Sequence, residues 1–296
     1  MKTPVLQTIG EGSFFETEYS IPDLTATDIR VRAVMTGVCR SDIDMMQGEF
    51  GPLPLDMQGH EGLGQVVDVG AKVTDVKVGD YVATRGEPAY ADYYNVRQRE
   101  YVLVPEADPR YIIEPVACGI NIVEQSREEI RKRQGGRLLI LGSGFLAWVA
   151  YHDILWNKFD FDIDVVGSAN KDLWGDLLKS EYNDKYDVVI DLSGRDDVMT
   201  KDLLNVGALV VFGSQKSTNT DFRYLLWNAC TVVFPSPRND EFYYWMKKAV
   251  YKIKENELNV DKFWTAGYNR RTEWQQAFDD GVNRPQFYSR GYIFWE

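Results

Sequence analysis

Cys39 and His60 have the most chemistry to offer in this chain. A thiolate and an imidazole are good ligands for Zn²⁺, and a catalytic zinc takes three protein groups while leaving one position open to water or substrate. They stand in two short runs, Gly37-Val38-Cys39-Arg40-Ser41-Asp42 and Gly59-His60-Glu61-Gly62. A third ligand must come from a distant point, and the run Glu114-Pro115-Val116-Ala117-Cys118-Gly119 offers two: the carboxylate of Glu114 and the thiol of Cys118. Taken singly, a cysteine is more often a small buried hydrophobe than a ligand; the grouping carries the metal reading. The 3 cysteines (Cys39, Cys118 and Cys230) are scattered and odd in number, which suits reduced thiols or metal ligation better than a disulfide framework. With 2 histidines in the chain, His60 and His152, chemistry that needs imidazole has almost nowhere else to go.

A second locus is Gly142-Ser143-Gly144-Phe145-Leu146-Ala147, which has the G-x-G-x-x-A form. It follows an apolar run at 137–141 and opens a stretch at 145–156 that reads as a helix. Glycines there permit a tight turn and let the backbone approach a pyrophosphate, whose charge is met by the helix N-terminus. An NAD site wants a carboxylate at the end of the second strand, on the ribose 2′-hydroxyl. That strand ends Val165-Val166-Gly167-Ser168-Ala169-Asn170-Lys171, with no acid at the tip. Ser168 and Lys171 suit a 2′-phosphate, so NADP is expected over NAD. Asp164 is at an acceptable distance from the loop but sits inside the strand, and the acids Asp160, Asp162 and Asp164 read together as a solvated face.

The elements that must position these residues fall into two patterns. Short β-branched runs at 29–34, 64–69, 81–84 and 101–104, separated by turn signals, indicate an all-β unit. From about residue 114, apolar strands at 137–141, 163–166, 186–192, 208–212 and 231–234 alternate with helical stretches, which means βαβ units and a parallel sheet. A long helix is expected over 240–257, and the chain closes on a strand-like run at 291–295. The aromatic residues, 13% of the chain, crowd its last third and read as core and interface packing.

Hydrophobic residues make up 44% of the chain and charged ones 26%, enough for a full core. The net charge of -12 argues against a nucleic-acid partner. No apolar stretch has the length of a membrane span and the first residues have no signal-peptide pattern, so a cytoplasmic protein without a membrane partner is expected.

The run at 37–42, the run at 59–62, the stretch at 69–82, the Glu114-Pro115 pair and the run at 142–147, in this order, resemble the medium-chain dehydrogenase/reductase superfamily, and within it the zinc-dependent polyol and threonine dehydrogenase branch. The resemblance covers nearly the whole chain. It implies an α/β protein with a GroES-like catalytic domain from residues 1–115 and 259–296 and a Rossmann-like nucleotide-binding domain from 116–258. It implies Cys39, His60 and Glu114 as zinc ligands, with Cys118 as the alternative to Glu114 and Glu61 as a carboxylate that stands beside the metal or exchanges onto it. Asp42 would orient His60, Ser41 would receive the substrate proton, and Arg40 would meet the cofactor pyrophosphate. Gly142, Gly144, Phe145, Leu146, Ala147, Ser168, Lys171, Ser193, Gly194 and Gly213 would line the cofactor site. A homodimer or homotetramer paired through the edge strand at 231–234 is implied too.

Three departures from the family pattern stand out. Asp44 occupies the place where many members have a histidine that carries the proton to solvent. No four-cysteine lobe follows Gly79, so one catalytic zinc and no structural zinc is expected. The segment between Lys171 and Tyr186 is too short for the usual third βα unit, so the parallel sheet should be shortened. The expected activity is hydride transfer between a nicotinamide cofactor and a small-molecule secondary alcohol or polyol, or the matching carbonyl. The alternatives are a metal-free NADPH reductase of quinones or enones, or a nucleotide-binding relic of the fold. Retention of Cys39, Ser41, Asp42, His60, Glu61 and Glu114 together favours the zinc enzyme.

Overall fold

A computed structural model describes residues 1–51, 58–182, 185–195, 201–214 and 222–295. From the N-terminus run β1 (Lys2–Gln7), β2 (Phe15–Ser20), β3 (Ile29–Val38), α1 (Arg40–Met46), β4 (Gly62–Val69), β5 (Tyr81–Thr84), β6 (Tyr93–Val96), β7 (Tyr101–Val104) and α2 (Glu114–Gln125). Next come α3 (Arg127–Arg131), β8 (Arg137–Leu141), α4 (Phe145–Trp156), β9 (Asp162–Val166), α5 (Lys171–Trp174), β10 (Leu178–Lys179), β11 (Tyr186–Asp191), β12 (Leu204–Phe212), α6 (Phe222–Trp227) and β13 (Thr231–Val233). The chain ends with α7 (Phe242–Lys254), β14 (Trp264–Asn269), α8 (Trp274–Asn283) and β15 (Arg290–Phe294). Two compact units result, one of Met1–Ala117 with Tyr243–Glu296 and the other of Cys118–Phe242. Nearly all of α7 thus groups with the first unit, whereas the family resemblance implies a nucleotide-binding domain that runs to residue 258.

In the first unit a mostly antiparallel sheet has the order β14-β15-β3-β4-β5-β7, with β6 also on β3. Register decides what this sheet can do. β3 runs antiparallel to all three strands that pair with it, Gly291 of β15 lies opposite Val38, and Gly62 of β4 lies opposite Thr36. The end of β3 and the starts of β4 and β15 therefore share one edge, bringing Cys39, His60 and Arg290 together from three distant parts of the sequence. Beneath them lies a core of Leu6, Phe14, Ile43, Tyr90, Phe278 and Ile293. α8 approaches α1 closely because residue 281 is glycine, where a Cβ would lie 2.8 Å from Ile43 Cδ1.

The second unit is a six-stranded parallel sheet of order β10-β9-β8-β11-β12-β13. Its central strands are buried on both faces: Leu138, Ile140, Val188 and Ile190 pack on one side and Leu139, Val189 and Val210 on the other. Each fully buried aliphatic side chain of this kind contributes roughly 1.5–3 kcal/mol. β10 is only 2 residues long, and no helix separates it from β11 among the described residues. This is the shortening that the sparse sequence between Lys171 and Tyr186 requires. No described helix is long and apolar enough to cross a membrane.

Candidate metal centre and dinucleotide loop

Cys39 follows β3 directly and caps α1, while His60 and Glu61 lead into β4. Ligand atoms of Cys39, His60 and Glu61 all lie within 4.8 Å of one another. Glycines make the room. A Cβ on Gly37 would fall 2.1 Å from Glu61 Oε2, and one on Gly59, whose φ is +74°, would fall 2.7 Å from the Tyr90 ring. The Gly37 N–H also donates to the Glu61 carbonyl at 3.0 Å, which ties the two runs together.

Asp42, 1% exposed, organises both ligand-bearing segments. Its Oδ2 accepts the Cys39 backbone N–H at 2.9 Å, the reciprocal half of a helix capping box. Its Oδ1 faces His60 Nδ1 at 3.6 Å and is buried without a hydrogen bond. An orphaned carboxylate oxygen aimed at one ring nitrogen suits an imidazole that keeps its proton there and offers the other nitrogen to a cation.

The charges fit a cation as well. Burial, and then the negative charge of Glu61, push the Cys39 thiol up from its ordinary pKa. Burial also raises the Asp42 carboxyl, although His60 opposes it. For His60 burial alone would lower the pKa, but Asp42, Cys39 and Glu114 raise it well above the usual value. This cluster gathers a thiol, an imidazole and carboxylates within reach of one another, a donor set that suits a divalent metal ion. The internal cation is Arg290, whose Nη2 donates to both Glu61 oxygens, to Oε1 at 2.6 Å. Its guanidinium lies 4.9 Å over the Trp264 ring.

In the second unit the loop between β8 and α4 is built from backbone. Gly142 has φ +111°, and a Cβ there would meet Leu192 O at 2.8 Å; around Gly144, which caps α4, a Cβ would meet nothing within 4 Å. That open face is where a ligand could approach the main chain. Ser143 is sewn to the end of β9: its Oγ donates to Ala169 O at 2.7 Å, and its carbonyl accepts from Asn170 Nδ2 and Trp174 Nε1 at 2.9 and 3.0 Å. Ser193 Oγ donates to Asp191 Oδ1 at 2.7 Å at the end of β11, and a Cβ on Gly213 would collide with Leu192.

Residues 25–109 match the alcohol dehydrogenase GroES-like domain family. Over 88% of this chain and 89% of the relative, the sequence is 25% identical to D-arabitol-phosphate dehydrogenase of Enterococcus avium. An Escherichia coli oxidoreductase of unknown specificity involved in membrane biogenesis shares the fold over the full length of both chains, at TM-score 0.79 and 19% identity. Galactitol-1-phosphate dehydrogenase from Escherichia coli does so over 98% of this chain and 99% of its own, at TM-score 0.74 and 16% identity. The domain match and the full-length similarity to a polyol-phosphate dehydrogenase support the resemblance to the medium-chain dehydrogenase/reductase superfamily.

The structure distributes the residues read from sequence as follows. Cys39, His60, Glu61 and Asp42 come together. Glu114, the first residue of α2, is buried and close enough to act electrostatically on His60 and Arg290, but lies outside the tight trio. Cys118 falls in the second unit. Ser41 is buried in α1, and Asp44 is held by Arg40, Oδ1 to Nε at 2.8 Å. Ser168 and Lys171 are exposed beyond the end of β9.

Asp164 requires a correction. Instead of belonging to a solvated face, its side chain is 3% exposed, and it accepts from Arg137 at 2.9 Å, Tyr186 at 2.7 Å and Lys179. Sequence reading missed Tyr90, Trp264 and Arg290. No local pattern announces them, because strand register alone brings them to this dehydrogenase fold's donor cluster.

Proposed function

We propose that the protein is a zinc-dependent oxidoreductase that transfers hydride between a nicotinamide cofactor and a secondary alcohol or polyol, or the matching carbonyl. The observation that carries this is the convergence of Cys39, His60 and Glu61 within 4.8 Å, with Asp42 behind the imidazole. In this reading Cys39, His60 and Glu114 hold the metal, and Glu61, clasped by Arg290, is the carboxylate that stands beside it. Bound there, zinc supplies Lewis acidity toward a hydroxyl or carbonyl oxygen, and the nicotinamide ring accepts or gives the hydride.

The chain's own residues do the rest. Asp42 keeps the His60 proton on the far ring nitrogen, and its grip on the Cys39 amide fixes the thiolate. Ser41, on the first turn of α1, receives the substrate proton. With Asp44 in place of a relay histidine and paired with Arg40, that proton leaves by way of Asp44 or water. The full-length similarity to a polyol-phosphate dehydrogenase supports a polyhydroxylated substrate.

The cofactor reading favours NADP. Asp164 is committed to Arg137, Tyr186 and Lys179, which leaves Ser168 and Lys171 at the end of β9 to meet a 2′-phosphate. Self-association as a homodimer or homotetramer belongs to the same reading. β13 is an edge strand, and Val206, Leu226, Trp227 and Phe234 are all more than half exposed, an apolar surface that another copy would cover. Sedimentation should show a dimer or tetramer, and a monomer refutes this part.

The deciding experiment is zinc content by mass spectrometry on protein purified without chelator, followed by an alcohol panel with both cofactors. About one zinc per chain is expected. A folded protein without zinc that still reduces quinones or enones would overturn the assignment.

A further inference from the structure

We propose that Tyr90 is a positioning residue of the metal centre, acting through Asp42 on both Cys39 and His60; this rests on the metal reading above. The Tyr90 side chain is fully buried. Its hydroxyl donates to Asp42 Oδ2 at 2.8 Å, with the Gly37 carbonyl a more distant acceptor at 3.3 Å. Oδ2 is the same oxygen that accepts the Cys39 amide at 2.9 Å. Two donors on Oδ2 fix the rotation of the carboxylate, so that Oδ1 is the oxygen turned to His60 Nδ1.

The ring is held as firmly as the hydroxyl. Phe14 and Phe278 stack on each other at 3.8 Å and both meet Tyr90 edge-on, at 5.7 and 5.5 Å. Its other side abuts Gly59, the residue before His60, and the Gly59 carbonyl accepts the Ala89 N–H at 2.8 Å. Tyr90 therefore touches both the turn that carries one proposed ligand and the carboxylate that governs two. Packing alone would be served by phenylalanine. A buried phenol needs a partner for its hydroxyl, and here that partner is the acid that orients the ligands.

The test uses full-length protein, wild type and Tyr90→Phe, in competition for zinc with a chromophoric chelator. Losing a partner behind a metal ligand typically weakens metal binding 10- to 100-fold; for a residue one step further out we expect roughly threefold to tenfold. The Co²⁺-substituted forms should differ in their visible ligand-field bands. In an Asp42→Asn background, Tyr90→Phe should cause no further loss, because its path to the ligands is already cut. Equal zinc affinity and identical Co²⁺ spectra in wild type and Tyr90→Phe would overturn the proposal, as would equal thermal destabilisation of the metal-free and zinc-loaded forms with affinity unchanged. A wild-type chain that takes up no zinc refutes the metal reading itself, a different failure.

Discussion

The two candidate sites are built by opposite means. In the first unit, buried charged side chains hold one another in place: Tyr90 and the Cys39 amide on Asp42, Asp42 facing His60, Trp264 under Arg290, Arg290 on Glu61. In the second unit the loop at Gly142 to Gly144 relies on the main chain, and what matters is where a Cβ cannot or need not be. A site of the first kind should fail when single polar atoms are removed, and a site of the second kind when single carbons are added.

The largest effect should come from His60→Ala. Losing this proposed ligand would forfeit Lewis-acid stabilisation of several kcal/mol, so kcat/KM should fall on the order of a thousandfold and bound zinc should drop with it. Activity that survives intact would remove zinc from the mechanism.

The loop offers a paired test. Gly142→Ala forces a side chain onto φ +111° and against Leu192 O, costing roughly 1–3 kcal/mol in backbone strain alone, readable by urea unfolding. Gly144→Ala, at φ -84° with open space around it, should leave stability within about 0.5 kcal/mol of wild type. It should still weaken dinucleotide binding roughly tenfold, because the new methyl stands where the pyrophosphate approaches the backbone. Equal effects of the two substitutions on stability would break the contrast between them.

Asp164 tests the cofactor reading and the pH response together. Burial alone would raise its pKa, but the hydrogen bonds from Lys179 and Tyr186 and the charge of Arg137 bring it below the usual carboxylate value. A depressed carboxylate stabilises the fold fully above its unfolded pKa, about 3.9, and that contribution is lost as pH falls through the lower folded pKa. Asp164→Asn should therefore cost about 1–3 kcal/mol near neutrality, with the gap to wild type closing in acid. The preference between NADP and NAD should not move; a shift toward NADP would mean that Asp164 does reach the ribose.

The second unit was the easier one to read. Its central strands are apolar on both faces, so β8, β11 and β12 stand out by the Leu, Ile and Val residues clustered in each, and the residues expected as helix at 145–156 form α4. In the first unit β2, which has no buried side chain, and the short β6 and β14 carry no such signal and were not seen. The candidate metal donors were legible because Cys39, His60 and Glu61 stand in dense local runs. Tyr90 and Arg290 were not, since their relation to those runs exists only once β15 and the turn before β6 fold beside β3. Asp164 was misread because a strand acid looks alike whether it faces water or a buried arginine.

The finest contrast lies between the two histidines, one in each unit. His152 sits on α4 against Trp148, with ring centroids 4.5 Å apart, and its Nε2 is buried without a hydrogen-bond partner. Burial lowers its pKa from 6.5, while the acids around His60 raise that one. A histidine with a depressed folded pKa is neutral in the native state, and the unfolded chain takes up the proton first as pH drops. Its contribution is therefore intact above about pH 6.5 and is lost as pH falls from there toward the folded pKa. The loss should be a fraction of 1 kcal/mol, because the ring is partly exposed and water screens its charge. In metal-free protein, proton NMR should show the His152 ring titrating below pH 6.5 and the His60 ring above it, and His152→Gln should flatten the mild loss of stability between neutrality and pH 5. If both rings titrate together near 6.5, the electrostatic difference between the units is smaller than their geometry implies.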